Sequence, residues 1–226
     1  MDLTPISAMG FVVAAVGVMR LAALADASLR VGKGGAEAGT GPGSVFEESG
    51  DWAARAYWDP LPTARSLTDS IGNGRWEDRS WLNVPGPFYT GATGATGVGP
   101  SGPESAPRHV LSGDGTTEFV YRQPRTPHEV YTLVGTAGYE PLAGYAWDGD
   151  EHWTPAAVRE WWAGRARVRA WIRGELAAPT TSVNARSSLR EFAGHLDEGL
   201  EDYLRGYVFW LIAGREPGRG EALPAL

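Results

Sequence analysis

Thr126-Pro127 and Thr154-Pro155 each set a capping hydroxyl directly before a proline. A threonine at the N-cap satisfies a free backbone N–H, and proline fits the first helical position because its missing N–H would have no partner there. Two helix starts follow, and apolar spacing says how far each helix reaches. Val130, Leu133 and Val134 form the apolar face of the first helix, Glu129 completes a capping box, and Gly138 is placed to stop it. The second helix is expected from Pro155 to about Leu176, with Val158, Trp161, Val168 and Ile172 on one stripe. A third start is read at Ser188-Leu189-Arg190-Glu191. From there Leu189, Phe192, Leu196, Leu200, Tyr203, Leu204, Tyr207 and Leu211 recur at three- and four-residue steps, until Gly214 and Pro217 end the pattern.

Upstream of these helices the periodicity changes. His109–Ser112 and Thr117–Arg122 flank Asp114-Gly115, a hairpin turn signal. Alternation puts Val120 on one face of the second run, with Phe119 and Tyr121 on the other. Trp81–Tyr89 is extended and turn-bearing, because Pro85-Gly86 is a turn pair and Pro87 forbids a helix. The expected fold class is therefore α+β: a β-hairpin plus short strands, followed by a mainly helical C-terminal half with an antiparallel helix pair. Residues 81–226 are read as the globular domain. Residues 51–80 are an irregular aromatic extension, carrying Trp52, Tyr57, Trp58 and Trp76 and interrupted by Pro60 and Pro62; its aromatics either lie on the following domain or belong to a loose tail. Residues 1–50 are a leader followed by a Gly-rich linker.

Several classes of function are excluded or disfavoured. Cysteine is absent, so disulfides, thiolate zinc sites, iron–sulfur clusters and cysteine nucleophiles are ruled out. A net charge of −7 argues against a nucleic-acid partner. The Gly-rich stretch Gly91–Ser105 is followed by no Gly-Lys-Ser/Thr and reads as a loop, not a phosphate cradle. No Gly-x-Ser-x-Gly elbow is present. The apolar run Gly10–Ala25 contains Arg20 and falls short of the roughly 20 residues that a spanning helix needs. MDLTPISAM before it lacks the basic residues of a secretory signal. A membrane partner is not expected, and the chain reads as cytoplasmic, with secretion through this segment as the alternative.

Two polar constellations could carry chemistry. The first is Trp147-Asp148-Gly149-Asp150-Glu151-His152-Trp153. In an extended chain Asp148, Asp150 and His152 would point to one side, as ligands for a divalent metal, with His109 and His128 as further donors. The spacing does not match a calcium loop. The competing reading is structural: carboxylates are favoured just before a helix start. The second constellation is Arg122 and Arg125 beside His128, where guanidiniums could hold a carboxylate or phosphate. On the long helices Arg165, Arg169 and Arg173 form a basic stripe. If the helices pack as an antiparallel pair, Asp197, Glu198, Glu201 and Asp202 are its nearest partners. His195 reads as a helix-surface histidine.

WLNVPGPFYTG (81–91), APRHVL (106–111), EFVYRQPRTPHEV (118–130), GYAWDGDEHWT (144–154) and FWLIAGREPGRGEALPAL (209–226) together resemble an uncharacterised family of small proteins from GC-rich bacteria. Some of its members are labelled ferredoxin. The resemblance covers residues 81–226 and implies no mechanism, so no catalytic residue carries over from it. A chain without cysteine cannot hold the cluster that label implies.

The leading expectation is a non-catalytic binding protein. Its partner would be another protein, met by an aromatic and acidic surface of Tyr145, Trp147, Asp148, Asp150, Glu151 and Trp153. Two alternatives stand beside it. One is a metal-assisted hydrolase or transferase with Asp148, Asp150 and His152 as ligands and Glu151 as base. The other is a binder of small anions through Arg122 and Arg125.

Overall fold

A computed structural model describes residues 56–91, 102–113, 117–139 and 144–226. The leader and linker of residues 1–50, most of the Gly-rich loop and the Asp114-Gly115 turn lie outside the described residues. In chain order the elements are α1 (Leu61–Leu67), a 3₁₀ turn (Trp76–Asp78), β1 (Tyr89–Thr90), α2 (Gly102–Ser105), β2 (Val110–Ser112) and β3 (Glu118–Val120). They continue with α3 (Pro127–Tyr139), β4 (Tyr145–Ala146), α4 (Gly149–His152), α5 (Pro155–Ala163), α6 (Arg165–Ala177), α7 (Val183–Asp197) and α8 (Leu200–Ala213). The fold is α+β. Among the described residues, no helix is long and apolar enough to cross a membrane.

The strands form two antiparallel pairs. β2 lies on β3 with Val110 opposite Val120 and Leu111 opposite Phe119, and β1 lies on β4 with Thr90 opposite Tyr145. The β2–β3 pair is a wall between two hydrophobic cores. Leu111, Phe119 and Tyr121 face a core built with α5, α6, α7 and α8, while Val110 and Val120 face a second core built with α1 and α3. Strand alternation thus serves both sides, which is why the pair is buried on both faces. Each large apolar side chain fully buried there contributes about 1.5–3 kcal/mol.

Two buried amides hold the extended segment 83–90 against this wall. Asn83 Oδ1 accepts from the N–H groups of Thr90 and Val120, and its Nδ2 donates to the carbonyls of Ser80 and Thr90. Gln123 Nε2 donates to the carbonyls of Val84 and Phe88, and its Oε1 accepts from the Phe88 N–H. A short, proline-interrupted stretch cannot satisfy its own backbone, so these side chains replace the missing ladder.

The domain starts earlier than residue 81. Tyr57, Leu61, Ala64 and Ile71 are buried members of the two cores, so described residues upstream of 81 belong to the same hydrophobic interior. Pro60 and Pro62, expected to break structure, sit at the cap and in the first turn of α1, where no N–H is needed. Asp59 Oδ1 accepts the Leu61 N–H at 2.9 Å and caps the turn. Gly206 on α8 permits the approach: a Cβ there would meet the Ala56 backbone at 2.7 Å.

The helix caps follow the threonine–proline reading, but the long helices are divided. Thr154 Oγ1 accepts from Ala157, and Thr126 Oγ1 accepts from Glu129. The Glu129 carboxylate turns back to the Arg125 N–H at 2.7 Å, one residue before the expected partner. The second helix breaks at Gly164. There Arg165 donates to the Trp162 carbonyl at 2.9 Å and lays its guanidinium over the Trp162 ring at 4.2 Å. The buried stripe is Val158, Trp162, Val168 and Ile172, so Trp161 is one position off it and only half-buried.

The third expected helix is also two. α7 starts at Ser182, whose hydroxyl accepts from Ala185, and Ser188 lies inside it, buried. Gly199, at φ +92°, separates α7 from α8. A left-handed residue ends a helix, and glycine adopts it without a Cβ clash. α6 and α7 pack as the antiparallel pair. Among the described residues the expected ion pairing reduces to Arg169 with Asp197 at 2.7 Å; Arg165 stacks on Trp162 instead.

Candidate functional site

Residues 147–153 do not run as an extended strand. β4 ends at Ala146, and Asp148 leads into the single turn of α4. A helical turn brings positions i and i+4 together. His152 Nε2 lies 3.3 Å from Asp148 Oδ2, and Asp148 Oδ1 accepts from the Tyr89 hydroxyl at 2.8 Å. Asp150, midway between them, is turned to the other side and accepts from the Tyr207 hydroxyl at 2.7 Å. The expected metal triad of Asp148, Asp150 and His152 is therefore split by the geometry of the turn. Among the described residues no group of three or more His, Asp or Glu side chains converges on one point. His109 is buried against the Arg122 carbonyl and His128 is exposed, so neither adds a donor.

The expected aromatic and acidic surface is also rearranged. Tyr145 is buried by the pairing of β4 with β1, and its hydroxyl donates to Glu118 Oε2 at 2.7 Å. Trp153 is buried at 7% exposure. Trp147 is half-buried against the α1–α3 core, and Asp148 and Glu151 remain accessible to solvent.

A different aromatic feature takes its place, centred on residues 76–81. The Trp76 ring stacks on His152 at 4.8 Å and meets Tyr89 and Trp153 edge-on at 5.3 and 5.2 Å. The Arg79 guanidinium lies 3.9 Å over Trp76 and 5.5 Å from Trp153. Two residues on, the Trp81 ring carries the Arg167 guanidinium at 4.0 Å, and the Trp81 carbonyl accepts from the Trp161 indole at 3.3 Å. Trp76, Trp81 and Trp161 are each half-buried, with one side on the helical core and the other toward solvent. Arg75, paired with Asp78 at 3.1 Å, and Glu77 stand at its edge. These contacts could not be found from spacing, because Trp76, Trp81, His152, Trp161 and Arg167 come from three separate segments.

Behind α4 lies a cage of phenols. Tyr57 sits 5.9 Å from Tyr203 and 5.4 Å from Tyr207, and Trp210 closes the group at 5.8 Å from Tyr57. Asp150 faces this cage. Burial, more than any neighbouring charge, pushes its carboxyl up to about 7, while the Tyr207 hydrogen bond works the other way. Asp150 Oδ2 and the Tyr57 hydroxyl are both shut off from solvent with no hydrogen-bond partner among the described residues. Asp59 is raised by burial and by Glu216, which accepts the Asp59 N–H at 3.1 Å. Chemically this is a carboxyl able to hold a proton at neutrality.

Arg122 and Arg125 lie together at the end of β3 and the start of α3. The Arg122 carbonyl faces His109 Nδ1 at 2.9 Å, and Arg122 Nε is buried with no hydrogen-bond partner among the described residues. Burial lowers the Arg125 guanidinium, with Arg122 acting in the same direction. His195 belongs to this group and not to a free helix surface. Its ring is half-buried and pushed down to about 4, first by burial and then by Arg122 and Arg125.

Compared with protein-family models, with curated proteins and with solved structures, the chain matches none of them.

Proposed function

We propose that the protein is a non-catalytic binding module that docks another protein on the ridge of Trp76, Trp81 and Trp161 with Arg79 and Arg167. The observation that supports this reading is the half-burial of Trp76, Trp81 and Trp161 against the helical core, two of them covered by a guanidinium. Indole and guanidinium groups dominate the energetics of protein interfaces, because each buries a large rigid area while keeping a polar edge. The cation–π stacks hold Arg79 and Arg167 in place before a partner arrives, so less side-chain entropy is lost on binding. The expected surface at 145–153 contributes its exposed part, with Asp148 and Glu151 as an acidic rim beside His152. The net charge of −7 keeps the preferred partner a protein and not a nucleic acid.

Affinity capture from the native host tests this, comparing the wild type with Trp81→Ala and with Arg167→Ala. Each variant should lose a specific partner that the wild type retains, at unchanged circular dichroism. Retention of every captured protein by both folded variants would overturn the proposal.

A further inference from the structure

We propose that the face shared by α5 and α8 is a docking site for an extended, proline-containing apolar segment of a partner protein, and that residues 223–226 occupy it as a built-in competitor. The site uses other residues than the tryptophan ridge and does not rest on it. α5 and α8 pack on each other. From α8, Arg205 Nε donates to the Pro224 carbonyl at 3.0 Å and Nη2 to the Leu223 carbonyl at 3.1 Å. From α5, Arg159 Nε donates to the Ala225 carbonyl at 3.0 Å. Leu226, the next residue, packs against the helical core. Three consecutive carbonyls are thus read by two guanidiniums, and the side chain that follows lies on the apolar interior.

This is recognition of main chain more than of side chains. Each carbonyl takes a charge-assisted bond, which is stronger than a neutral one. Any extended segment presents its carbonyls in the same order, so the three bonds do not require this one sequence. Proline suits such a site. Pro224 has no N–H to leave unpaired, and a φ fixed near about −65° lowers the entropy lost on docking. Selectivity falls to the apolar side chains: Leu223 and Leu226 are both half-buried, while Ala225 between them is exposed.

The segment is returned to this face by a turn with contacts of its own. Gly214 and Gly220 take φ of +65° and +75°, where glycine is favoured. Arg215 closes the turn on Glu221 with two bonds of 2.6 and 2.9 Å, and Glu221 also accepts the Gly218 N–H at 2.8 Å. None of these bonds involves residues 223–226, so that segment can leave while the turn stays closed. A tether this short holds it at a local concentration of about millimolar. A partner's segment therefore has to compete with it, and the site opens only to one that binds more tightly.

The test uses the full chain and the fluorescein-labelled peptide EALPAL, which copies residues 221–226. Leu226→Asp should release the chain's own segment and bind the peptide saturably, and the wild type should bind it about tenfold or more weaker. Adding Arg205→Gln to Leu226→Asp should weaken binding about tenfold or more, and adding Arg190→Gln, an exposed arginine of α7, should not. The same peptide with aspartate for its last leucine should not bind. In the wild type, the Leu226 methyl resonances should move toward those of the free peptide as millimolar peptide is added, a readout that stands even where a variant fails to fold. No saturable binding by folded Leu226→Asp, equal binding by the wild type, equal binding of the aspartate peptide or unmoved Leu226 resonances would each overturn the proposal. So would equal weakening by Arg190→Gln, or an affinity unchanged by Arg205→Gln, which would leave residues 223–226 a structural tail only.

Discussion

The Tyr207 hydroxyl donates to Oδ1 of Asp150 at 2.7 Å, while Oδ2 of the same carboxyl is shut off from solvent with no partner among the described residues. One hydrogen bond does not compensate a buried negative charge, so the protonated form is favoured and the carboxyl titrates at about 7. An unfolded aspartate titrates near 3.9. Protons are therefore bound more tightly by the folded state. Stability from this group is full below about pH 4 and is lost as pH rises through about 7. Each unit of difference is about 1.4 kcal/mol, so the total is on the order of 4 kcal/mol. His195 works in the opposite sense: its ring is pushed down to about 4, so its contribution is present above about 6.5 and lost as pH falls. Asp150→Asn isolates the carboxyl. Chemical denaturation from pH 4 to 8 should give a variant that gains on the wild type as pH rises. A difference that stays constant with pH would contradict the assignment.

The Tyr57 and Tyr207 hydroxyls should behave differently on removal. Tyr57 Oη is buried without a hydrogen-bond partner among the described residues, whereas Tyr207 Oη is bonded to Asp150. Deleting an unsatisfied buried group removes a desolvation cost, and deleting a bonded one leaves its partner orphaned. Tyr57→Phe should be neutral or stabilising by up to about 1 kcal/mol, and Tyr207→Phe destabilising by about 1–3 kcal/mol. Equal losses in denaturant midpoints would contradict this contrast.

Gln123 closes the segment 83–90 with three hydrogen bonds to Val84 and Phe88. Gln123→Met keeps the volume and removes every one of them. A loss of about 3 kcal/mol or more is expected, since buried backbone groups are left unpaired. Thermal unfolding checks it, and a change under about 1 kcal/mol would mean that water replaces the amide.

Gly206→Ala should loosen the described start of the domain. The added Cβ would lie 2.7 Å from the Ala56 backbone and 2.8 Å from Tyr57 Cβ. Overpacking of this kind costs about 1–3 kcal/mol. Limited proteolysis should show faster cleavage around residues 56–60 with α8 still protected. An unchanged rate would show that the contact carries no weight.

Much of the fold was legible because it rests on local chemistry. Thr126, Thr154 and Gly214 mark helix ends through groups within a few residues of them, and the alternation of Val120 against Phe119 and Tyr121 divides two cores as period two requires. The breaks at Gly164 and Gly199 were missed because apolar residues keep three- and four-residue steps across both. A stripe that continues in sequence does not reveal a bend that glycine allows. The burial of residues 57–71 is not legible locally, because Tyr57 packs on α8 and Leu61, Ala64 and Ile71 pack on the α3 core, each many positions away in the chain. The error at Asp148, Asp150 and His152 has the same root. Alternation was read for a strand, and the chain makes one helical turn, so the three side chains part. The ridge of Trp76, Trp81 and Trp161 was invisible for a further reason: no local rule joins a 3₁₀ turn to α4, α5 and α6.

The ridge is tested most directly by site-specific photo-cross-linking in the native host. A photoreactive residue at Glu77, exposed beside Trp76, is compared with one at Val183, which is 82% exposed at the start of α7. A protein that docks on the ridge should give one discrete adduct from position 77, none from position 183, and loss of the first when Trp81→Ala is added. Adducts of equal yield from both positions, or an adduct at 77 that survives Trp81→Ala, would contradict the assignment of this face as the binding surface.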